Sequence, residues 1–205
     1  GQLYVKGVRV RYWGTNGKTF ATAGIKKEDS SRTIKKKVDL MYKSNLAILD
    51  RLQELGFNSV RIWVGFSKDS GTYQKGDGSL GDCIDFFLNE AAKRDFKVWY
   101  AGFNSLSLVS PEDVDIIDDP QTAKAWAEAV HSKCKFDKKG KLKRGWDIRN
   151  NVARIWDSRL EAFGIAGMKN SANHVNQYNG LRWADDPVFG VWELSNEEWW
   201  MRKMV

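Results

Sequence analysis

Apolar and polar residues alternate at the start of the chain and then change period. Leu3, Val5, Val8, Val10 and Tyr12 alternate around Gly7, which predicts a hairpin whose last strand runs into Gly14-Thr15-Asn16-Gly17. Over residues 40–55, Leu46, Leu49, Leu52 and Leu55 recur at helical spacing with Gly56 as the stop, and Ser59-Val60-Arg61-Ile62-Trp63-Val64-Gly65-Phe66 reads as a strand. The cycle then repeats. Cys83, Phe86, Phe87, Leu88, Ala91 and Ala92 predict a helix over residues 80–94, and residues 96–103 a third strand. Further helices are predicted within residues 120–131, over 147–163 and near 170–178. A solvated lysine-rich loop is expected at 133–144 and a last strand at 188–194.

Strands alternating with helices at these lengths call for βαβ units and a parallel sheet. Strands two, three and four begin near residues 59, 96 and 188, which gives about four β/α units in 205 residues. At that spacing a closed barrel of eight units needs roughly 350–400 residues, at the long end of the range for such barrels. The expected fold class is therefore α/β of the (β/α)8 TIM-barrel type, with this chain covering about the first four units. A complete smaller open sheet is the alternative.

Composition narrows the function classes. The chain is 42% apolar and 29% charged, which argues for a packed core and against disorder. No apolar run is long enough to span a membrane, and residues 1–8 do not read as a leader. Cys83 and Cys134 show no zinc-type spacing; two free core thiols are the commoner outcome and one disulfide the other. No metal or other cofactor is called for. The net charge of +7 is a moderate excess, much of it in the lysine-rich segment, and the acidic stretch 112–119 and the lack of any nucleic-acid motif weigh against a nucleic-acid partner.

Ten tryptophans are the loudest compositional signal, because flat rings both fill cores and stack on sugars. Trp13, Trp99, Trp126, Trp156 and Trp192 are expected in the core, and Trp63, Trp199 and Trp200 at strand ends. His131 and His174 are expected as surface or hydrogen-bonded structural groups.

Two places could carry chemistry. The first is Trp192-Glu193-Leu194-Ser195-Asn196-Glu197-Glu198-Trp199-Trp200, at the carboxy-terminal end of the last strand, where barrel enzymes place catalytic groups. If Trp192 and Leu194 face the helices, Glu193 faces the barrel interior; a solvated strand-to-helix turn is the bland alternative. The second is Arg61, a guanidinium within a short apolar strand. It needs a partner there, either in a structural ion pair or to orient a catalytic carboxylate.

The segment Asn179-Gly180-Leu181-Arg182-Trp183-Ala184-Asp185-Asp186-Pro187, continuing to Trp192-Glu193-Leu194-Ser195-Asn196-Glu197, resembles the fourth-strand region of clan A glycoside hydrolases, and within them family 5. Asn58-Ser59-Val60-Arg61-Ile62-Trp63 resembles the second strand of that family's β-mannanases, residues 84–104 resemble its second helix and third strand ending in Asn104, and residues 5–16 its entry hairpin and first strand. The resemblance implies Glu197 as general acid/base, Asn196 as hydrogen-bond partner of the sugar 2-hydroxyl, and Arg61 as support for the nucleophile. Trp63, Asn104 and Asn16 would line the site. Trp199 and Trp200 either form a sugar-stacking wall or pack under the next helix.

The family's nucleophile is a Glu ending the seventh strand, so the expectation is that residues 1–205 form the amino-terminal half of a catalytic barrel and that the nucleophile is not in this chain. The remaining half would come from the same polypeptide or a partner chain. The implied activity is retaining hydrolysis of β-linked polysaccharide, mannan first and β-glucan second, by a secreted or periplasmic enzyme. The alternative is a carbohydrate-binding barrel without turnover. The family's usual Pro after Asn-Glu is Glu198 here.

Overall fold

The computed structural model describes residues 3–16, 20–63, 73–101, 108–147 and 158–193. By internal contacts the chain forms two compact units, the first comprising residues 1–63, 73–100 and 175–192 and the second residues 64–72, 101–174 and 193–205.

The first unit opens with an antiparallel hairpin of β1 (Leu3–Val5) and β2 (Val8–Val10), whose turn uses Lys6 and Gly7 at positive φ. The sheet proper begins later than the alternation suggests, at β3 (Gly14–Asn16). With β4 (Ser59–Ile62), β5 (Lys97–Tyr100) and β10 (Phe189–Trp192) it forms a four-stranded, wholly parallel sheet. The strands lie side by side in chain order, β3-β4-β5-β10. A doubly wound sheet reverses its order at a switch point, whereas the wall of a (β/α)8 barrel does not. The observed order fits the first four units of such a barrel.

Helix α1 (Ser31–Glu54) crosses from β3 to β4. It begins nine residues before the expected start at residue 40 because the Ser30 side chain caps it, accepting from the Thr33 amide at 3.3 Å. Val38, Met41 and Leu49 are its buried stripe, and Gly56 at φ 80° ends the excursion. Helix α2 (Leu80–Lys93), capped by Ser79, crosses to β5 and buries Cys83, Ile84, Phe87, Leu88 and Ala91. Cys83 is a free thiol, and burial pushes it up to about 11. At the far end of α2, Arg94 binds Glu90 at 3.0 Å and Asp50 of α1 at 2.8 Å.

Two fully buried carboxyls on the first turns of α2 hold the loops of this unit. Asp82 accepts from the amides of Gly76 and Gly78, both at 2.9 Å, and from the hydroxyls of Tyr42 and Tyr178. Asp85 accepts from the Tyr73 hydroxyl, the Trp183 indole at 2.9 Å and the Gln177 amide at 3.3 Å. Asn176, also buried, donates to the Asp85 carbonyl at 3.1 Å. The segment expected to be helical near residues 170–178 instead leaves the helical path after Asn173. It turns through Gly180 at φ 73° and bridges Val175 to Arg182, while the Asn176 and Tyr178 side chains tie it to α2.

In the second unit α3 (Pro120–Lys133) starts with Pro120 in its first turn and is capped by Asp119, which accepts from the Thr122 amide at 2.6 Å. Hydrogen bonds from the Thr122 side chain and amide hold the Asp119 carboxyl below its usual range. Trp126 and Val130 pack with Val109 and Ile117 into this unit's core. Strands β6 (Leu108–Val109) and β9 (Trp146–Asp147) pair antiparallel. The lysine-rich segment is not a plain loop: β7 (Lys135–Phe136) pairs antiparallel with β8 (Leu142–Arg144). Asp137 closes the turn by accepting from the amides of Lys139 and Lys141, at 2.8 and 2.9 Å, with Gly140 at φ 74°. Helix α4 (Ser158–Asn173) is the last described α-helix; positions 148–157 of the helix expected at 147–163 lie outside the described residues.

Burial and the Asp85 hydrogen bond hold the Tyr73 hydroxyl well above the ordinary tyrosine range. Tyr73 is 6% exposed, so its shift acts on stability. Its folded-state value is raised, so the contribution is complete below pH ~10 and is lost as pH climbs beyond it, the unfolded chain releasing a proton that the folded chain keeps. The unfolding free energy is expected to fall about 1.4 kcal/mol per pH unit above pH ~10 on account of this group. Urea denaturation at pH 9, 10 and 11 checks it, with Tyr73→Phe flattening the slope by that amount; equal slopes in the two proteins would contradict the assignment.

Candidate functional site

Strand alternation divides the sheet of the first unit into two faces. Val60, Ile62, Val98 and Tyr100 are buried on one side, where α2 packs on β5. Ser59, Arg61, Lys97 and Trp99 project from the other. The register places Asn16 beside Arg61 and Arg61 beside Trp99, at the carboxy-terminal ends of three neighbouring strands. Trp63 follows β4 by one residue.

Contacts among these four side chains are specific. The Trp63 indole donates to the Asn16 carboxamide oxygen at 2.6 Å. The Arg61 guanidinium lies 4.1 Å from the centre of the Trp63 ring and 5.3 Å from that of Trp99, so two indole faces flank it. A cation over an indole gains about 0.5–2 kcal/mol depending on its desolvation, and the rings fix the plane of a side chain that would otherwise rotate freely.

Two glycines make the arrangement possible. A Cβ on Gly14 would lie 2.8 Å from the Ser59 carbonyl oxygen, so β3 approaches β4 this closely only with glycine there. Gly190 sits at a register break between Phe189 and Val191, where a Cβ would meet that of Lys97 at 3.2 Å. The break lets Phe189 and Trp192, three residues apart, share the Tyr100 side of the sheet, with ring centres 6.0 and 5.3 Å from Tyr100. Val191 is left beside Trp99. A cavity of about 340 Å³ opens on the other face, lined among others by Tyr12, Asn16, Arg61, Trp99 and Val191.

Of the residues singled out from the sequence, Asn16, Arg61 and Trp63 come together. Asn104, Asn196, Glu197, Trp199 and Trp200 lie outside the described residues, as do Leu194 and Trp156. Glu193 follows β10 and is half-buried. Trp99 was expected in the core and is 44% exposed on the Arg61 face. Its neighbours Val98 and Tyr100 have the buried side, and alternation gives Trp99 the other; that alternation was the signal that could have found it. Trp13, also expected in the core, is 66% exposed and stacks on Phe57 with centres 6.1 Å apart. Trp126 is buried.

His131 stacks on Phe136 at 4.6 Å in the second unit and His174 is buried there. Among the described residues no cluster of three or more His, Cys, Asp or Glu is arranged to hold a metal ion, and no helix is long and apolar enough to cross a membrane.

No protein-family model matches the sequence, and no curated protein matches it. Among solved structures, the chain is similar to an endo-1,4-β-mannanase from Rhizomucor miehei, at 17% identity and a TM-score of 0.49, covering 96% of this chain and 46% of that one. It is also similar to a mutant of a glycoside hydrolase family 5 mannosidase from the same organism, at 15% identity and a TM-score of 0.47, covering 96% and 49%. The chain spans about half the length of each.

The Asn16–Trp63 bond is open to a double-mutant cycle. Asn16→Ala and Trp63→Phe are expected to couple by about 0.5–1.5 kcal/mol in urea denaturation, the range for a net hydrogen bond. Strict additivity would show that the bond contributes nothing in solution.

Proposed function

We propose that this chain is the amino-terminal half of a retaining glycoside hydrolase barrel acting on β-linked polysaccharide, with an endo-β-mannanase-like activity and Glu197 as its acid/base. The observation that carries the reading is the array of Asn16, Trp63, Arg61 and Trp99 on the open face of the parallel sheet, at the strand ends where barrel enzymes do their chemistry. In the sequence, Glu193-Leu194-Ser195-Asn196-Glu197 directly follows β10, the strand paired with β5.

In this reading Glu197 protonates the glycosidic oxygen as the bond breaks and later takes a proton from the attacking water, while Asn196 binds the 2-hydroxyl. Retention needs a second, ionised carboxylate about 5–5.5 Å from the first, to form the glycosyl-enzyme intermediate. That nucleophile belongs to the complementary half of the barrel, on the same polypeptide or on a partner chain. The role of Arg61, held between two indoles, is to present a fixed positive charge that keeps the nucleophile ionised. Trp63 and Asn16 line the sugar path. A secreted or periplasmic location follows from the substrate, and neither metal nor nucleic acid takes part.

The test is Glu197→Gln in the polypeptide carrying both barrel halves, assayed on mannan. A loss of roughly 10²–10⁴-fold in kcat is expected, the usual share of general acid/base catalysis, with an unchanged thermal transition. An activated aryl glycoside, which needs no leaving-group protonation, should lose less in its first step. Wild-type protein that retards on mannan without releasing reducing ends would establish the binding barrel instead, and full activity in Glu197→Gln would remove this residue from the chemistry.

A further inference from the structure

The hairpin of β7 and β8 in the second unit is a concentrated positive surface that the catalytic reading leaves unused. Residues 135–144 carry six basic side chains and a single acid, in a chain whose net charge is +7. Lys135, Lys138, Lys139, Lys141 and Lys143 are all exposed, and among the described residues none of them is in an ion pair. The one acid, Asp137, is already engaged by the turn, where its carboxylate accepts from two backbone amides.

The surface is built rather than loose. Phe136 pairs with Leu142 across the ribbon and both are half-buried, with Phe136 stacked on His131 of α3. That anchors one face and turns Lys141 and Lys143, which flank Leu142, to the other. Lysines on strand edges commonly serve only to prevent edge-to-edge pairing. Lys138 and Lys139 sit at the tip of the turn, where there is no edge to protect, so that role does not account for them.

We propose that this hairpin docks a carboxylated polysaccharide, a polymer with one anionic group per sugar ring. The choice of a glycan rests on the glycoside hydrolase reading above; the choice of a charged one rests on the hairpin itself. Five separate lysine ammonium groups are point charges without the planar fork that selects phosphate pairwise. Neighbours on one face of a strand are about 6.6–6.8 Å apart, a sparser array than the one charge per ~1.7 Å of duplex DNA. Single-stranded nucleic acid would call for an exposed ring, and the hairpin's only ring is packed on His131. A membrane surface would call for exposed apolar side chains beside the lysines, and Phe136 and Leu142 are turned inward.

The experiment is affinity electrophoresis and titration calorimetry of the full protein with sodium polygalacturonate, neutral galactomannan and a random-sequence DNA duplex. The second protein is the quadruple variant Lys138→Gln, Lys139→Gln, Lys141→Gln, Lys143→Gln, matched to wild type by thermal melting. Polygalacturonate is expected to bind wild type with a Kd that weakens steeply between 50 and 300 mM NaCl, and the variant to bind roughly tenfold or more weakly, as exposed ion pairing requires. Mannan turnover and mannan retardation should be equal in the two proteins. No binding of polygalacturonate, equal binding by the variant, or tighter binding of DNA at equal charge concentration would each overturn the proposal. Because neutral mannan is measured separately, a protein that fails to turn it over counts against the catalytic reading and leaves the hairpin result standing on its own.

Discussion

The first unit depends on two aspartates placed one helical turn apart at the start of α2. A carboxyl taken from water to 0% exposure costs several kcal/mol unless nearly every lone pair finds a donor. Asp82 and Asp85 find theirs in seven groups: two glycine amides, three tyrosine hydroxyls, one indole and one further amide. Those donors come from α1, from the loop entering α2, and from the segment after Asn173. Satisfying the two carboxyls therefore fixes where chain stretches up to 98 residues apart must lie. One of those stretches, residues 176–186, leads directly into β10, so the pair also sets where the fourth strand joins the sheet.

With the loops held on the helix side, the opposite face of the sheet is free to carry function. Its geometry comes from strand register and from two positions without side chains. Gly14 lets β3 close on β4, which brings Asn16 level with Arg61 and within reach of the Trp63 indole. Gly190 absorbs a register break that sends Phe189 and Trp192 to the Tyr100 side. The guanidinium held between Trp63 and Trp99 is thus a product of backbone spacing as much as of side-chain chemistry.

How much of this was legible varies with the kind of signal. Strands two and three and α2 follow from the alternation of Val60 with Ile62, from Val98 with Tyr100, and from the apolar stripe Cys83, Phe87, Leu88 and Ala91. These are local patterns with strong periods. The first turns of α1 leave no apolar period in the sequence because Arg32, Lys35, Lys36 and Lys37 dilute the stripe, and only the Ser30 cap marks them. Trp99 departs from the core expectation because strand parity, with Val98 and Tyr100 on the buried side, outweighs its apolar character. The hairpin at 135–144 is hidden in the sequence because its lysines have no strand preference; the pairing rests on Phe136 against Leu142 and on a turn closed by Asp137 and Gly140. The roles of Arg61, Trp63 and Asn16 entered through family resemblance, and what the fold adds is their contact.

The buried aspartates and the exposed lysines show why polarity alone misleads. Asp82 and Asp85 lie in a helix whose other residues are mostly apolar, and by composition they would be placed on its wet face. Lys139 and Lys141 lie in a segment with two apolar residues and would be assigned no structure at all. In both cases the outcome turns on partners. The aspartates sit within reach of tyrosine and tryptophan donors supplied by distant parts of the chain, so full desolvation is tolerated. Among the described residues the lysines meet no acid, since Asp137 is held by backbone amides, so they stay in solvent and their strands pair through backbone hydrogen bonds that ask nothing of the side chains. A buried polar network constrains the fold that made it; an exposed one leaves its charge available to whatever carries the opposite sign.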